Sequence, residues 1–304
     1  MRQTLGKRGF VTIATGQERY YALARNLLRS YRHFADKPLP FAIIADRENQ
    51  YTAEFDHVVM IYDASNSYND KLKLFREMPY EETIFIDADS LAYGDLNVWW
   101  DVFWDAGDFS LFGYAWRDLE CGRGWFIPAG MKEYQKDITF IPDFNGGVYY
   151  MRNTKACERV FDIADHCAKH YHDYRFNDFS EPADEPVLAL GMAACGFEPL
   201  DRPGELIFAP PMDKLDADIT IPRAIYHQSA DKSCSVRLIH FSNYRTQLSF
   251  YRNEVIKLEN MLKQGNDDYI HKMPERLRYT LLKIGDIAPL GRRVIRKVKR
   301  VLHL

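Results

Sequence analysis

Cysteine is scarce in this chain of 304 residues, and its distribution excludes two kinds of structure. The five cysteines are odd in number and scattered, and none of them forms a Cys-x-x-Cys pair. A disulfide framework needs an even set, and a structural zinc site normally needs paired cysteines. We therefore expect neither feature, and we expect a reducing compartment. The cysteines are Cys121, Cys157, Cys167, Cys195 and Cys234.

Long apolar runs are also missing. No window reaches the roughly 20 apolar residues that a transmembrane helix requires. The basic residues between Arg2 and Arg8 are not followed by the apolar run of a signal peptide. These two absences predict a cytoplasmic protein.

The chain has little net charge, since 40 Lys and Arg residues face 43 Asp and Glu residues. This balance argues against a nucleic-acid partner. The charge is unevenly distributed, however, because ten basic and only two acidic side chains lie between Lys272 and the C-terminus. We therefore divide the chain into a main domain, residues 1–265, and a basic tail, residues 266–304.

The last part of the tail, Gly291–Leu304, has the pattern of an amphipathic helix. Its apolar residues share one face, and basic residues occupy the others. Such a helix suits the surface of an anionic membrane, which would place the protein peripherally at the inner face of that membrane. A helix packed on the main domain with a basic outer face explains the pattern equally well. The apolar residues are Val294, Ile295, Val298, Val301 and Leu302.

The first ninety residues alternate between strand and helix patterns. Apolar runs at Gly9–Thr15, Phe41–Ala45, Val58–Tyr62 and Thr83–Ile86 read as strands, and the segments after the first and third have helical spacing. This rhythm predicts an α/β fold with a mixed, mainly parallel sheet flanked by helices.

The fourth of these strands runs into Asp87-Ala88-Asp89. Residues at i and i+2 of an extended segment point the same way, so the two carboxylates can converge. Open α/β sheets bind ligands at such strand ends, and two carboxylates there suit Mg²⁺ or Mn²⁺. A plain cap at the end of the strand is the alternative. The same tripeptide at Asp216–Asp218 follows Pro210 and Pro211, which predicts a solvated turn.

Two further segments place polar residues at the start of a strand or a helix. Asn145-Gly146-Gly147 precedes an apolar run, and glycine there either admits a ligand close to the backbone or forms a hairpin turn. Asp184 and Glu185 open a helix, where acidic side chains stabilise the helix N-terminus even without another role.

Together these segments resemble the GT-A glycosyltransferases, most closely glycosyltransferase family 8, which includes glycogenin and bacterial lipopolysaccharide galactosyl- and glucosyltransferases. The resemblance extends from about Gly9 to about Leu262. Its strongest part is Ile84-Phe85-Ile86-Asp87-Ala88-Asp89-Ser90-Leu91, which is similar to the DxD strand of the family. Phe144-Asn145-Gly146-Gly147-Val148 is similar to the Phe-Asn-Ser/Ala-Gly-Val segment, and His240-Phe241 to a conserved His-Phe.

The resemblance implies a role for each matching position. Asp87, Asp89 and His240 would hold Mn²⁺ (or Mg²⁺), and Asp184 and Glu185 would lie beside the reacting carbon as catalytic residues. Asn145, Gly146 and Gly147 would line the pocket for the donor sugar and the acceptor. The remaining residues would bind the nucleotide diphosphate of the donor, and they are Ala14, Thr15, Tyr20, Lys71, Ala88 and Arg245.

The sequence departs from the family in two places. Glu185 stands where the family has glutamine, which puts the donor sugar and the mechanism in question. The segment after His240-Phe241 lacks the usual Gly-x-x-Lys-Pro-Trp, and Arg245 replaces the lysine only with a spacing that differs by one residue.

The resemblance implies a metal-dependent hexosyltransferase. Its donor would be a nucleotide-diphosphate sugar such as a UDP-sugar, its acceptor a glycan or lipid-linked molecule, and its outcome retention of configuration. The tail resembles the membrane-attaching tails of bacterial lipopolysaccharide enzymes. An inverting GT-A transferase and a sugar-nucleotide-binding protein without transferase activity stay open. A nucleotidyltransferase is disfavoured, because the segment after the first strand is too poor in glycine for a phosphate-binding loop.

Overall fold

The computed structural model describes residues 4–127, 138–177, 182–263 and 269–286. The tail helix predicted over 291–304 lies outside these residues. None of the helices within them is long and apolar enough to span a bilayer.

The main sheet has six strands in the order β3-β2-β1-β4-β9-β6. Strands β1 to β4 run parallel to one another, and β9 joins β4 in the antiparallel direction. The mainly parallel sheet predicted from the sequence is therefore confirmed. The strands are β1 (Gly6–Ala14), β2 (Phe41–Ala45), β3 (His57–Met60), β4 (Tyr80–Ile86), β5 (Ser90–Ala92), β6 (Phe109–Ser110), β7 (Gly113–Trp116), β8 (Ile141–Phe144) and β9 (Val148–Arg152).

Helices cover both faces of this sheet, because its central strands are apolar on both sides. One face is covered by α1, whose buried Tyr21, Ala24, Leu28 and Tyr31 form one stripe at helical spacing. The other face is covered by α4 and α5, which pack closely at Gly191. The helices in the described residues are α1 (Glu18–Phe34), α2 (Leu74–Glu77), α3 (Trp99–Val102), α4 (Lys155–Lys169), α5 (Asp184–Ala194), α6 (Ser249–Met261), α7 (Tyr269–Lys272) and α8 (Glu275–Ile284).

Smaller sheets bring later segments of the chain back to the end of β4. In one of them β14 (Leu238–His240) lies between β5 and β10 (Leu206–Phe208). A third core cluster forms where this sheet meets α6, with Leu91, Ile239 and Phe241 fully buried. The late strand at residue 240 is thereby fixed against the segment that follows Asp89.

The prediction of a turn at Asp216–Asp218 is wrong. These residues belong to β11 (Leu215–Asp218), which forms the edge of an antiparallel sheet with β12 (Arg223–Ser229) and β13 (Lys232–Ser235). The side chains are nevertheless solvated and paired with cations, Asp216 with Arg223 and Asp218 with Lys257. Proline and polar residues mislead here because an exposed edge strand tolerates both.

The described part of the tail packs on the main domain. Arg278 of α8 is buried, and its Nε donates to Oδ1 of Asn253 on α6 at 2.9 Å. Asp286 accepts hydrogen bonds from the backbone and hydroxyl of Ser249 at 2.6 and 2.7 Å. Residues 269–286 are thus held by polar contacts as well as by the buried Leu282.

Candidate active site

Asp87 and Asp89 lie just beyond the carboxyl end of β4, at the end of the sheet where the sequence predicts a site. The backbone N–H of Asp87 donates to the carbonyl of Gly147 at 2.9 Å, so the chain stays paired with the start of β9 as it leaves the sheet. Both carboxylates line a cavity of about 600 Å³. The strand that leads into the motif therefore determines where the two side chains point.

His240 reaches the carboxylates through strand pairing. The antiparallel register of β14 and β5 places His240 opposite Ser90, and the N–H of Phe241 donates to the carbonyl of Asp89 at 3.0 Å. The Nε2 atom of His240 lies 2.9 Å from Oδ1 of Asp89 and 3.4 Å from Oδ2 of Asp87. One ligand atom from each of the three residues falls within 4.8 Å of the others. The structure thus brings together all three predicted metal ligands.

The chemistry of this cluster fits a divalent cation. Two carboxylates and one imidazole nitrogen form a donor set that Mn²⁺ accepts. The buried Oδ1 of Asp89 faces Nε2 of His240 at 2.9 Å, and among the described residues it has no well-aligned hydrogen-bond donor. A buried carboxylate oxygen without a donor is costly, and a cation would relieve that cost.

The pKa of each residue in the cluster depends on the charges of its neighbours there. Burial alone would lower the pKa of His240, but Asp89 and Asp87 outweigh it and raise that pKa above its usual range. Burial raises the pKa of Asp87 in spite of the Lys71 ammonium, and the His240 charge holds the pKa of Asp89 below its usual range in spite of burial.

Lys71 lies between the carboxylates of Asp87 and Asp184. It belongs to the 3-10 helix Tyr68–Lys73, and its Nζ donates to Oδ2 of Asp87 at 2.7 Å and to the carbonyl of Gly146 at 3.2 Å. The same Nζ is 3.4 Å from Oδ2 of Asp184. Burial alone would lower the pKa of Lys71, but Asp184 and Asp87 outweigh it and raise that pKa, so the side chain stays charged.

Asp184 begins α5 and is almost fully buried. Its Oδ2 accepts a hydrogen bond from the hydroxyl of Tyr149 at 2.9 Å, in addition to the contact with Lys71. Burial raises the pKa of Tyr149 well above its usual range, so the hydroxyl remains a donor. Tyr149 is a site residue that sequence reasoning missed. Its place on β9, two residues after Gly147, is the signal that could have indicated it.

Glu185 is held by three donors from two parts of the chain, the loop before β9 and Trp125. Its Oε1 accepts from the N–H of Gly146 at 2.8 Å and from Nδ2 of Asn145 at 3.0 Å. Its Oε2 accepts from Nε1 of Trp125 at 3.1 Å. Burial and the neighbouring Asp184 raise its pKa. The side chain therefore fixes the loop before β9 as much as it faces the cavity.

Gly146 and Gly147 make room for side chains of the protein itself. A Cβ on Gly147 would lie 2.8 Å from Nδ1 of His240 and 3.0 Å from Oδ1 of Asn145. A Cβ on Gly146 would lie 2.5 Å from the hydroxyl of Tyr149. The space at the two glycines is therefore occupied by side chains of this chain, including His240, Asn145 and Tyr149, and this reason for glycine is a third one beside the ligand approach and the hairpin turn considered from the sequence.

The other end of the cavity is formed by the end of β1 and the loop that contains residues 65–70. Ala14, Thr15 and Tyr20, three of the residues expected to bind the nucleotide, line it. Asp70, which sequence reasoning missed, organises this loop by accepting from Ser65, Asn66, Lys73 and Thr15. Burial alone would raise the pKa of Asp70, but the Ser65 and Lys73 contacts hold it below its usual range.

Two predicted nucleotide-binding residues lie apart from the side chains that line the cavity. Ala88 is buried, and its N–H donates to Oδ1 of Asp87 at 3.2 Å. Arg245 lies in the 3-10 helix Asn243–Gln247, and its guanidinium stacks 5.0 Å from the centre of the Tyr244 ring. Ser242 and the half-exposed Phe208 line the cavity instead, and neither was predicted.

Comparison with known proteins identifies the fold. No family model matches the sequence, and no curated protein matches it. Among solved structures, the galactosyltransferase LgtC in complex with donor and acceptor sugar analogs aligns with a TM-score of 0.52 at 14% identity, over 89% of this chain and 99% of LgtC. The bifunctional glycosyltransferase WbbM aligns with a TM-score of 0.53 at 10% identity, over 85% of this chain. The chain spans about half of WbbM, 52% of its length. The GT-A fold that the motifs predict is confirmed.

Proposed function

We propose that this chain, whose fold is that of the GT-A glycosyltransferases, is a metal-dependent hexosyltransferase that uses a nucleotide-diphosphate sugar as donor. The observation that carries the proposal is the convergence of Asp87, Asp89 and His240 in one cavity that Lys71 also enters. That cavity has a volume of about 600 Å³, within the range of small-ligand sites. A UDP-sugar is our first choice of donor, because the segment around Thr15 and Tyr20 resembles the uridine site of family 8.

Departure of the nucleotide diphosphate is the step that needs help, because negative charge builds up on the leaving oxygen. A bound Mn²⁺ (or Mg²⁺) would act there as a Lewis acid. Asp87, Asp89 and His240 would hold the ion. Lys71 would exchange its contact with Asp87 for one with the diphosphate, and Arg245 would leave the Tyr244 ring to contact the same group.

Asp184 and Glu185 have different parts in this proposal. Asp184 faces the cavity beside Lys71 and would accept a sugar hydroxyl while stabilising positive charge on the ring at the transition state. Glu185 already accepts three hydrogen bonds, so we assign it to positioning and not to contact with the reacting carbon. Asn145 would lie near both donor and acceptor.

We place the acceptor in a hollow beside the cavity. This hollow, of about 210 Å³, shares Asn145 and Phe208 with the main cavity and also contains Tyr114 and Arg202. Aromatic rings next to polar side chains suit the faces and hydroxyls of a sugar, which supports a glycan or lipid-linked acceptor. For the basic tail we propose contact with an anionic membrane, and with it a cytoplasmic position at the inner face of that membrane.

Retention of configuration is proposed from the resemblance to family 8, and inversion is its main rival. An inverting enzyme needs a carboxylate base near the acceptor, and Asp184 is the candidate because Glu185 is already committed to three donors. NMR analysis of the product anomer separates the two. A sugar-nucleotide-binding protein without transferase activity would bind the donor and release no nucleotide.

The proposal is tested by incubating the protein with a panel of nucleotide sugars and Mn²⁺ and measuring nucleotide release. We expect slow hydrolysis of one donor, lost on chelation of the metal and in Asp89→Ala. Donor binding without release by the wild type would favour the non-catalytic alternative. Release that is unchanged in Asp89→Ala would remove the metal site from the mechanism.

A further inference from the structure

Glu185 sits in a pocket that suits a carboxylate and does not suit an amide. Its three partners, the N–H of Gly146, Nδ2 of Asn145 and Nε1 of Trp125, are all donors, and they approach both of its oxygens. An indole nitrogen and a backbone amide can only donate. A carboxylate satisfies all three, whereas a glutamine side chain would turn an NH₂ group toward at least one of them.

The carboxylate also determines the orientation of the Asn145 amide. Because Glu185 accepts, the NH₂ group of Asn145 must face it, and the amide oxygen must face the other way. That oxygen lies 2.6 Å from Nδ1 of His240. The contact requires the histidine to carry a proton on Nδ1, since the amide oxygen can only accept.

The tautomer of His240 follows from this chain of contacts. In the neutral imidazole a proton on Nδ1 leaves the lone pair on Nε2, which is the atom that faces Asp89 and Asp87. A reversed Asn145 amide would favour the opposite tautomer, with a proton on Nε2 directed at the carboxylates and no lone pair for a cation.

We propose that Glu185 is a positioning residue that selects the Nδ1–H tautomer of His240 through Asn145 and thereby prepares Nε2 as a metal ligand. The effect on metal affinity rests on the proposed metal site, whereas the effect on the tautomer does not. This role gives a physical reason why glutamate stands where the family has glutamine, because Trp125 places a donor on the second oxygen and an amide cannot accept on both of its terminal atoms.

Two measurements on the metal-free and metal-titrated protein test the proposal. The first is the tautomer of His240, from ¹⁵N–¹H correlation spectra of the imidazole recorded above its raised pKa. The second is the affinity for Mn²⁺ alone, from the electron paramagnetic resonance signal of the free ion. The variants are Glu185→Gln, Trp125→Phe and the double variant, with Glu198→Gln as a control because Glu198 is an exposed glutamate paired with Arg117.

We expect Glu185→Gln to populate the Nε2–H tautomer and to weaken Mn²⁺ binding by roughly tenfold. A loss of this size is at the lower end of those that follow removal of a group orienting a metal ligand. Trp125→Phe removes the donor facing Oε2, so in the double variant the glutamine NH₂ can occupy that position without conflict. The Nδ1–H tautomer and most of the affinity should then return. If Glu185→Gln weakened Mn²⁺ binding only by disturbing the fold, a second substitution would not restore the affinity.

The outcomes distinguish this inference from the proposed function. An unchanged His240 tautomer in Glu185→Gln overturns the inference, whatever the protein does with metal. A double variant that is no better than Glu185→Gln also overturns it. A tautomer that changes as expected in a protein that binds no Mn²⁺ supports the positioning by Glu185 and removes the metal from the proposed function.

Discussion

His240 stands opposite Ser90 in the antiparallel pairing of β14 with β5, and this register holds Nε2 of the histidine 2.9 Å from the carboxylate of Asp89. A shift of one residue would turn the imidazole to the other face of this small sheet. The proposed metal site therefore depends on a pairing between two segments that are far apart in the chain.

Gly147→Ala should weaken metal binding without unfolding the protein. The new methyl group would lie 2.8 Å from Nδ1 of His240, so the histidine must move away from Asn145 and from the carboxylates. We expect a loss of Mn²⁺ affinity of about 10-fold or more, measured by titration. The control is Gly94→Ala, whose methyl group would meet neighbours only at 3.5 Å. Equal affinities in the two variants would contradict the assignment of His240 as a ligand.

Lys71→Met should change metal binding and turnover in opposite directions. The ammonium shares Oδ2 of Asp87 with any cation at the site, so its removal should strengthen Mn²⁺ binding to the free protein. Nucleotide release should fall by about 10²-fold, because a charge that stabilises the leaving group is lost. Both quantities are measured on the same preparation. Release at the wild-type rate would show that Lys71 does not contact the diphosphate.

Tyr149→Phe tests the support of Asp184. The substitution leaves the ring stacked on Phe85 and removes the hydroxyl that donates to the buried carboxylate. We expect a loss of about 1 kcal/mol in the free energy of unfolding, measured with urea, together with slower nucleotide release. Tyr150→Phe is the matched control, because its hydroxyl contacts Glu82 and Arg152 away from the cavity. If both variants release nucleotide equally fast, Asp184 does not depend on Tyr149.

Glu254→Gln tests a buried carboxyl group in the core between β5 and α6. Burial raises the pKa of Glu254 from 4.5 to about 7, in spite of Lys257. The folded state binds this proton more tightly than the unfolded state does. The stability that the protonated Glu254 gives the folded state is therefore complete below pH 4.5 and is lost as the pH rises through about 7.

The measurable quantity is the free energy of unfolding of the wild type minus that of Glu254→Gln. It should fall between pH 4.5 and about 7 by at most about 3 kcal/mol. Urea denaturation across this range provides the measurement. A difference that is constant with pH would show that Glu254 is already ionised in the folded protein.

The sequence predicted the parts of the fold that local patterns determine. Apolar runs and helical spacing identified the first four strands of the main sheet and α1, and the strand before Asp87 located one end of the cavity. The edge strand at Asp216 was missed because its local composition is typical of a turn, whereas its pairing with β12 is a long-range contact. Local propensity carries no information about such a partner.

The same limit applies within the site. The resemblance to a family supplied His240, but nothing local indicates that β14 pairs with β5 or that Trp125 donates to Glu185. Tyr149 was missed because its role is a hydrogen bond to another segment, and Asp70 because it joins the turn of its own loop to Thr15 at the end of β1. Arg245 was assigned by the resemblance although its spacing differs by one residue, and its guanidinium lies over the Tyr244 ring.

The central claim is that Asp87, Asp89 and His240 hold a divalent ion that binds the diphosphate of a sugar nucleotide. Calorimetric titration of UDP into the protein, with Mn²⁺ and with a chelator, tests it most directly when wild type and Asp89→Asn are compared. We predict that UDP binds the wild type far more tightly with Mn²⁺ and that Asp89→Asn loses this enhancement. UDP binding that is the same with and without the metal in both proteins would contradict the account.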